Sequence, residues 1–202
     1  MQLTLNDNQK SLTIDEDITV ERVIEAINQL IGTELIFSHL IIDNQEIYSD
    51  HHLYIERYID EILQIKVIAK TKSVYINETL LSAEEYLQNA LPAIDTLVEQ
   101  FYQGVEADTW NRFQQMTDGI QWLMDVIATV DKFIERPSDW VSYVEIYQQL
   151  ESNVAELAEA VENQDTILIV DIVNYEMKPL LEQLQQLLTK TIDQEGSRTN
   201  VN

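Results

Sequence analysis

The chain has 202 residues with 45% apolar side chains, enough for one large domain or two small ones and too apolar for intrinsic disorder. Its net charge of −24 disfavours direct contact with nucleic-acid phosphates or anionic lipid. The absence of cysteine excludes disulfides, thiolate metal sites and cysteine nucleophiles. Glycine (4) and proline (3) are scarce, which favours long helices over a many-stranded sandwich.

The N-terminus, MQLTLNDNQKSLTIDED, lacks the basic and apolar regions of a secretory signal, and no run reaches the 18 or so apolar residues of a membrane span. A soluble, cytoplasmic protein is expected. QLTLN and KSLTI alternate apolar and polar residues around NDNQ, the pattern of a hairpin. ITVERVIEAINQLIG predicts a helix with Thr19 as N-cap, an apolar face through Val20, Val23, Ile24, Ile27, Leu30 and Ile31, and Gly32 at its close. FSHLIID reads as a strand, DNQ as a tight turn and EIYS as a short strand. A loop carrying His51 and His52 follows, then ILQIKVIA, suited to the centre of a sheet.

This order, together with the MQ start and the segment LIIDNQEIYSDHHLYIERYIDEILQIKVIAK, resembles the ubiquitin-like β-grasp family over roughly residues 1–70. The resemblance implies a small domain that offers a sheet surface to other proteins. Conjugating members end in Gly-Gly; here AKTKSVYINET follows the last strand, so conjugation is not implied.

KTKS at 70–73 marks the expected boundary between a domain 1–72 and a helical domain 73–193, with 194–202 as a disordered tail. The charge steps from −7 in residues 1–72 to −17 in the rest. VYIN reads as a strand or strand-like linker. Ser82 and Glu85 then form a capping box that opens a helix over 83–103. A second helix spans 107–135 with Ile134 on its apolar seam, and a third starts after Ser138. The third carries the heptad-type seam Trp140, Val144, Tyr147, Leu150, Val154, Leu157 and Val161. Asp165 caps a fourth helix that runs to about 192. Four long helices with short connections predict an antiparallel four-helix bundle, and the whole chain an α+β protein.

The stretch TILIVDIVNYEMKPLL, residues 166–181, is apolar on every side at its start, which predicts packing on every side. Asp171 within it is then expected to be buried and paired, with Arg112, Lys132, Arg136 and Lys178 as the available cations. Tyr175 and Lys178 share its face at a 3.6-residue period. Pro179 and Pro92 are expected to kink their helices, as bends that wrap each helix around its core, with a groove between splayed helices as the alternative.

Catalytic constellations are missing from the sequence. There is no Glu-x-x-His for a di-iron site, no phosphate-binding glycine loop and no third ligand for His51 and His52. No cofactor, no metal and no enzymatic activity are expected. The favoured reading is a non-enzymatic protein-interaction module, an adaptor or chaperone similar in general architecture to small bacterial export chaperones. Its partner would be a basic protein or an amphipathic helix, with nucleic acid and membrane excluded. The contact residues expected are Trp122, Met124, Asp171, Tyr175, Glu176 and Lys178. Alternatives are a ligand-binding or catalytic bundle using Asp171, Tyr175 and Glu176, and an acidic mimic of nucleic acid. The apolar excess of the fourth helix and the seam of the third also suit a homodimer.

Overall fold

The structure is a computed structural model and describes residues 1–6 and 10–198. It is a mixed α+β molecule in which an N-terminal five-stranded sheet is followed by helices. The chain divides into two compact units, Met1–Tyr75 and Ile76–Asn202.

In the first unit β1 (Gln2–Leu5) pairs antiparallel with β2 (Lys10–Thr13). Of the NDNQ turn expected between them, residues 7–9 lie outside the described residues. Helix α1 (Val20–Ile31) begins where predicted: the Thr19 hydroxyl accepts the Arg22 N–H at 3.3 Å. Gly32, at φ 65°, closes it by donating its N–H to the Asn28 carbonyl, and the left-handed backbone there suits a residue without Cβ.

Strands β3 (Leu35–Ile42) and β4 (Gln45–Ile47) form a hairpin through Asp43 and Asn44, both at positive φ, as a two-residue turn requires. The segment expected to be a loop is a helix, α2 (His51–Tyr58). Its reason is Ile55, fully buried in the core, with Tyr54 and Tyr58 one turn apart and their rings 4.9 Å from each other. His51 is accordingly a half-buried helical residue bonded through Nε2 to the Ile47 carbonyl oxygen, not a free loop histidine. β5 (Gln64–Thr71) lies centrally in the order β2-β1-β5-β3-β4, parallel to β1 and antiparallel to β3. Its Ile65, Val67 and Ala69 point to the core with Leu3, Leu5, Leu40 and Ile42, beside Val23, Ile27 and Leu30 of α1.

The second unit is helical. α3 (Lys72–Gln103) starts about eleven residues earlier than Ser82 predicts, and VYIN is helical. Ile76, Leu80, Ala83 and Leu87 carry one buried seam straight through the supposed start, so burial outweighs the local capping signal. Thr71 takes the capping role, its hydroxyl accepting the Val74 N–H at 3.3 Å.

α4 (Ala107–Asp131) stops short of 135, and Ile134, expected on the seam, is 98% exposed. Arg136 clamps the end of α4 by bonding both the carbonyl and the carboxylate of Asp131. α5 (Trp140–Glu162) buries Trp140, Tyr143, Ile146, Leu150 and Leu157; its seam includes Tyr143 and Ile146 beyond the heptad positions. The last stretch is continuous: α6 (Thr166–Asp171), a π-helical segment (Ile172–Met177) and α7 (Lys178–Glu195). Asp165 caps α6 as predicted, accepting the Leu168 N–H at 3.0 Å.

Polar pairs set the helix directions. Asp95, Glu84 and Asn77 of α3 meet Lys178, Thr189 and Ser197 in turn, so α3 and the α7 stretch run antiparallel. Tyr143 with Thr191, and Ser138 with Glu195, do the same for α5 and α7. One core joins α3, α4, α5 and α7, with Leu80, Leu123, Tyr143 and Leu184 meeting around an apolar space too small for more than a water. The chain beyond Ile192, expected to fray, stays helical to Glu195, and Ser197 and Arg198 are pinned to α3.

Candidate functional site

The residues singled out around the fourth helix do not form a buried cluster. Asp171 is exposed, against the expectation that it is buried and paired. Three of the four cations proposed for it are engaged elsewhere: Arg112 with Asp108, Arg136 with Asp131, and Lys178 with Asp95 and Glu182. The cause is local. Ile169, Val170, Ile172 and Val173 are buried, while Ile167 and Leu168 in the first turn remain exposed. The apolar run is therefore packed along one side and open along the other.

Met124 is buried in the helical core and unavailable to a partner. Trp122 is 38% exposed, its ring edge-on to Tyr86 at 5.6 Å. Glu176 and Tyr175 are exposed, the tyrosine at 64%.

The π segment governs this region. Pro179 has no N–H to offer, and its ring crowds the preceding turn of an α-helix. The chain widens there instead, with the Lys178 N–H donated five residues back to the Val173 carbonyl. The extra residue in the turn moves Lys178 off the Asp171 face and onto Asp95 of α3.

Tyr175 is consequently presented beside Tyr102, the exposed penultimate residue of α3, at 62% exposure. The Tyr102 hydroxyl is pushed above its ordinary pKa by partial desolvation, then by Tyr175 and Asp171. Tyr102, Tyr175 and Asp171 are thus one surface cluster, and Leu168 lies one turn before Asp171. Trp110, at the start of α4, opens at the same end of the helices with its ring against Phe101 and Phe113. The sequence reading missed Tyr102, because its immediate neighbours Phe101 and Gln103 carry no signal of an open face.

Tyr175 also lines an open groove of about 340 Å³ that α5 forms with the π segment and the start of α7. It is lined by Gln149, Ser152, Asn153, Tyr175, Glu176 and Gln183, with Pro179 and Leu180. Its lining is mostly polar, and neither Trp122 nor Met124 contributes to it.

A family described as "Domain of unknown function (DUF8042)" matches residues 78–187, more than half of the chain. The chain belongs to that family. No curated protein and no solved structure matches it. The DUF8042 stretch opens inside α3 and closes inside α7, so it holds Tyr102, Asp171, Tyr175 and the groove, and leaves out Asn77, Thr189 and Arg198. Among the described residues no group of three or more His, Asp or Glu is placed to hold a metal ion, and no helix is long and apolar enough to cross a membrane.

Proposed function

We propose that the chain is a non-enzymatic protein-interaction module working in the cytoplasm. In this reading a ubiquitin-like β-grasp domain is joined to an acidic antiparallel four-helix bundle, and the bundle holds a basic amphipathic segment of a partner protein. The sheet order β2-β1-β5-β3-β4 with α1 on one face supports the β-grasp assignment, and the antiparallel polar pairs support the bundle.

The observation that carries the function is the exposed tyrosine pair Tyr102 and Tyr175 near Asp171, with Leu168 exposed one turn before that aspartate. Tyrosines contribute more than most residues to protein interfaces, because a rigid ring buries large area and its hydroxyl still finds a partner. The surrounding charge is one-sided: residues 73–202 hold 23 acids against 6 bases. Such a field steers basic partners and repels nucleic acid and anionic lipid.

The test uses a labelled Leu/Lys amphipathic helical peptide as probe, with affinity read by fluorescence anisotropy at low and moderate salt. Tyr102→Ala with Tyr175→Ala is expected to weaken binding by about tenfold or more, as loss of interface hot spots does. Ile134→Ser, at the other end of the helices, is the control and should leave affinity unchanged. Equal affinity for all three proteins would sink the assignment. A second reading, a small polar ligand in the groove, is favoured only by the groove's carboxamide lining. It predicts that Glu176→Gln changes ligand binding while peptide affinity holds.

A further inference from the structure

Glu84 is the one buried charged side chain among the described residues, set in α3 between Ala83 and the core seam. A carboxylate in such a place is costly unless paired, and an apolar residue would pack as well or better. Its partner is Arg198. Nη1 donates to Oε2 at 2.7 Å and Nη2 to Oε1 at 3.0 Å, the two-pronged match that only a guanidinium makes. Thr189 of α7 donates its hydroxyl to Oε1 at 2.6 Å and orients the carboxylate. Asp193 holds Nε at 2.7 Å.

The backbone before the arginine is read as well. The Asn77 carboxamide accepts the Ser197 N–H at 2.8 Å and donates to the Ser197 carbonyl at 3.0 Å. One side-chain amide thus satisfies both backbone groups of one residue, as it would for any extended peptide. Close approach is needed: a Cβ on Gly196 would stand 2.4 Å from Asn77 Oδ1 and 2.9 Å from the Ile192 carbonyl oxygen. None of this is helix capping, since the Gly196 N–H already closes α7 on Ile192.

We propose that Asn77, Glu84 and Thr189 form a recognition site for an arginine-bearing extended peptide, filled in cis by Ser197 and Arg198. A partner's arginine segment binds by displacing the chain's own. The site is separate from the Tyr102–Tyr175 surface, and either stands if the other fails.

The probe is the fluorescein-labelled peptide Gly-Ser-Arg-Thr-Asn, followed by anisotropy. Arg198→Ala is expected to bind it, and the wild-type chain to bind about tenfold or more weakly, because its competent state is populated only when the tail is off. Adding Glu84→Gln to Arg198→Ala, or citrulline in place of the peptide's arginine, should abolish binding. Natively folded Arg198→Ala that ignores the peptide, or takes the citrulline form equally well, overturns the proposal. Where Arg198→Ala does not fold, the wild-type chain decides. Its Arg198 Nε–H NMR signal should move to the position of free arginine as unlabelled peptide is raised into the millimolar range. A signal that stays in place at saturation also overturns it.

Discussion

Tyr143 is fully buried at the meeting of the helices and donates its hydroxyl to Thr191 at 2.9 Å. Burial pushes its pKa up to about 12, the Thr191 bond opposing and the charges of Asp139 and Glu195 adding to the rise. A folded pKa above the unfolded value of about 10 means that the neutral tyrosine is what the fold favours. Its contribution is fully present below pH 10 and is lost as pH climbs from there through about 12. Tyr143→Phe cannot ionise, so wild type minus variant, measured by urea unfolding at each pH, should be flat to about pH 10. It should then fall by about 1.4 kcal/mol per pH unit. Other tyrosines titrate in both proteins and cancel in the difference. At neutral pH the variant should be less stable by about 1–2 kcal/mol, because Thr191 stays buried without its donor. A pH-independent difference would mean that Tyr143 reaches water when it ionises. This bond was out of view in the sequence, where Tyr143 lies between the heptad positions and Thr191 stands near the expected end of the fourth helix with nothing to mark it as buried.

At the scale of the element, the two helical prolines make a controlled comparison. Pro92 stands inside α3 with α-helix on both sides, whereas Pro179 follows a π segment that has already widened the turn its ring would crowd. If the π segment relieves the clash, Pro179→Ala restores little more than one hydrogen bond, about 1 kcal/mol. Pro92→Ala should gain more, toward the roughly 3 kcal/mol of a proline in a helix interior. Urea midpoints of the two variants check this, and equal gains would remove the π segment from the explanation. The same segment accounts for the misplacement of Asp171. A 3.6-residue period carried across 172–177 puts Asp171 and Lys178 on one face, but the period changes there. Ends that carried a signal were legible: Thr19 and Gly32 bound α1, and Asp165 starts α6. α2 was not, since a short helix held by Ile55 has no pattern long enough to read. The early start of α3 was masked by Ser82 and Glu85, a capping box whose signal is overridden by burial of Ile76 and Leu80. Of the candidate surface, Tyr175 was legible and Tyr102 was not, because the two meet only through the fold.

For the whole molecule, the two hydrophobic cores share no residue: one runs from Leu3 to Ala69, the other from Ile76 to Ile192. Each unit thus buries its own apolar surface, and each has the means to unfold by itself. Among the described residues the one element common to both is α3, which starts at Lys72 in the first unit and continues through the second. Calorimetry of the full chain is expected to show two transitions. Leu5→Ala removes a fully buried side chain from the first core, and Leu150→Ala one from the second. A buried Leu→Ala change costs about 2–5 kcal/mol, which in a unit of this size lowers its midpoint by about 10 °C or more. Each substitution should move one transition and leave its counterpart in place. If both transitions move together under either change, α3 is transmitting stability across the boundary, and the chain unfolds as one cooperative body. Independent transitions carry a consequence for function: a partner that binds the helical unit then stabilises that transition alone, by an amount set by its free concentration relative to its dissociation constant. The same scan, repeated with the Leu/Lys peptide present, therefore reports which unit the peptide engages without any assumption about its contact residues.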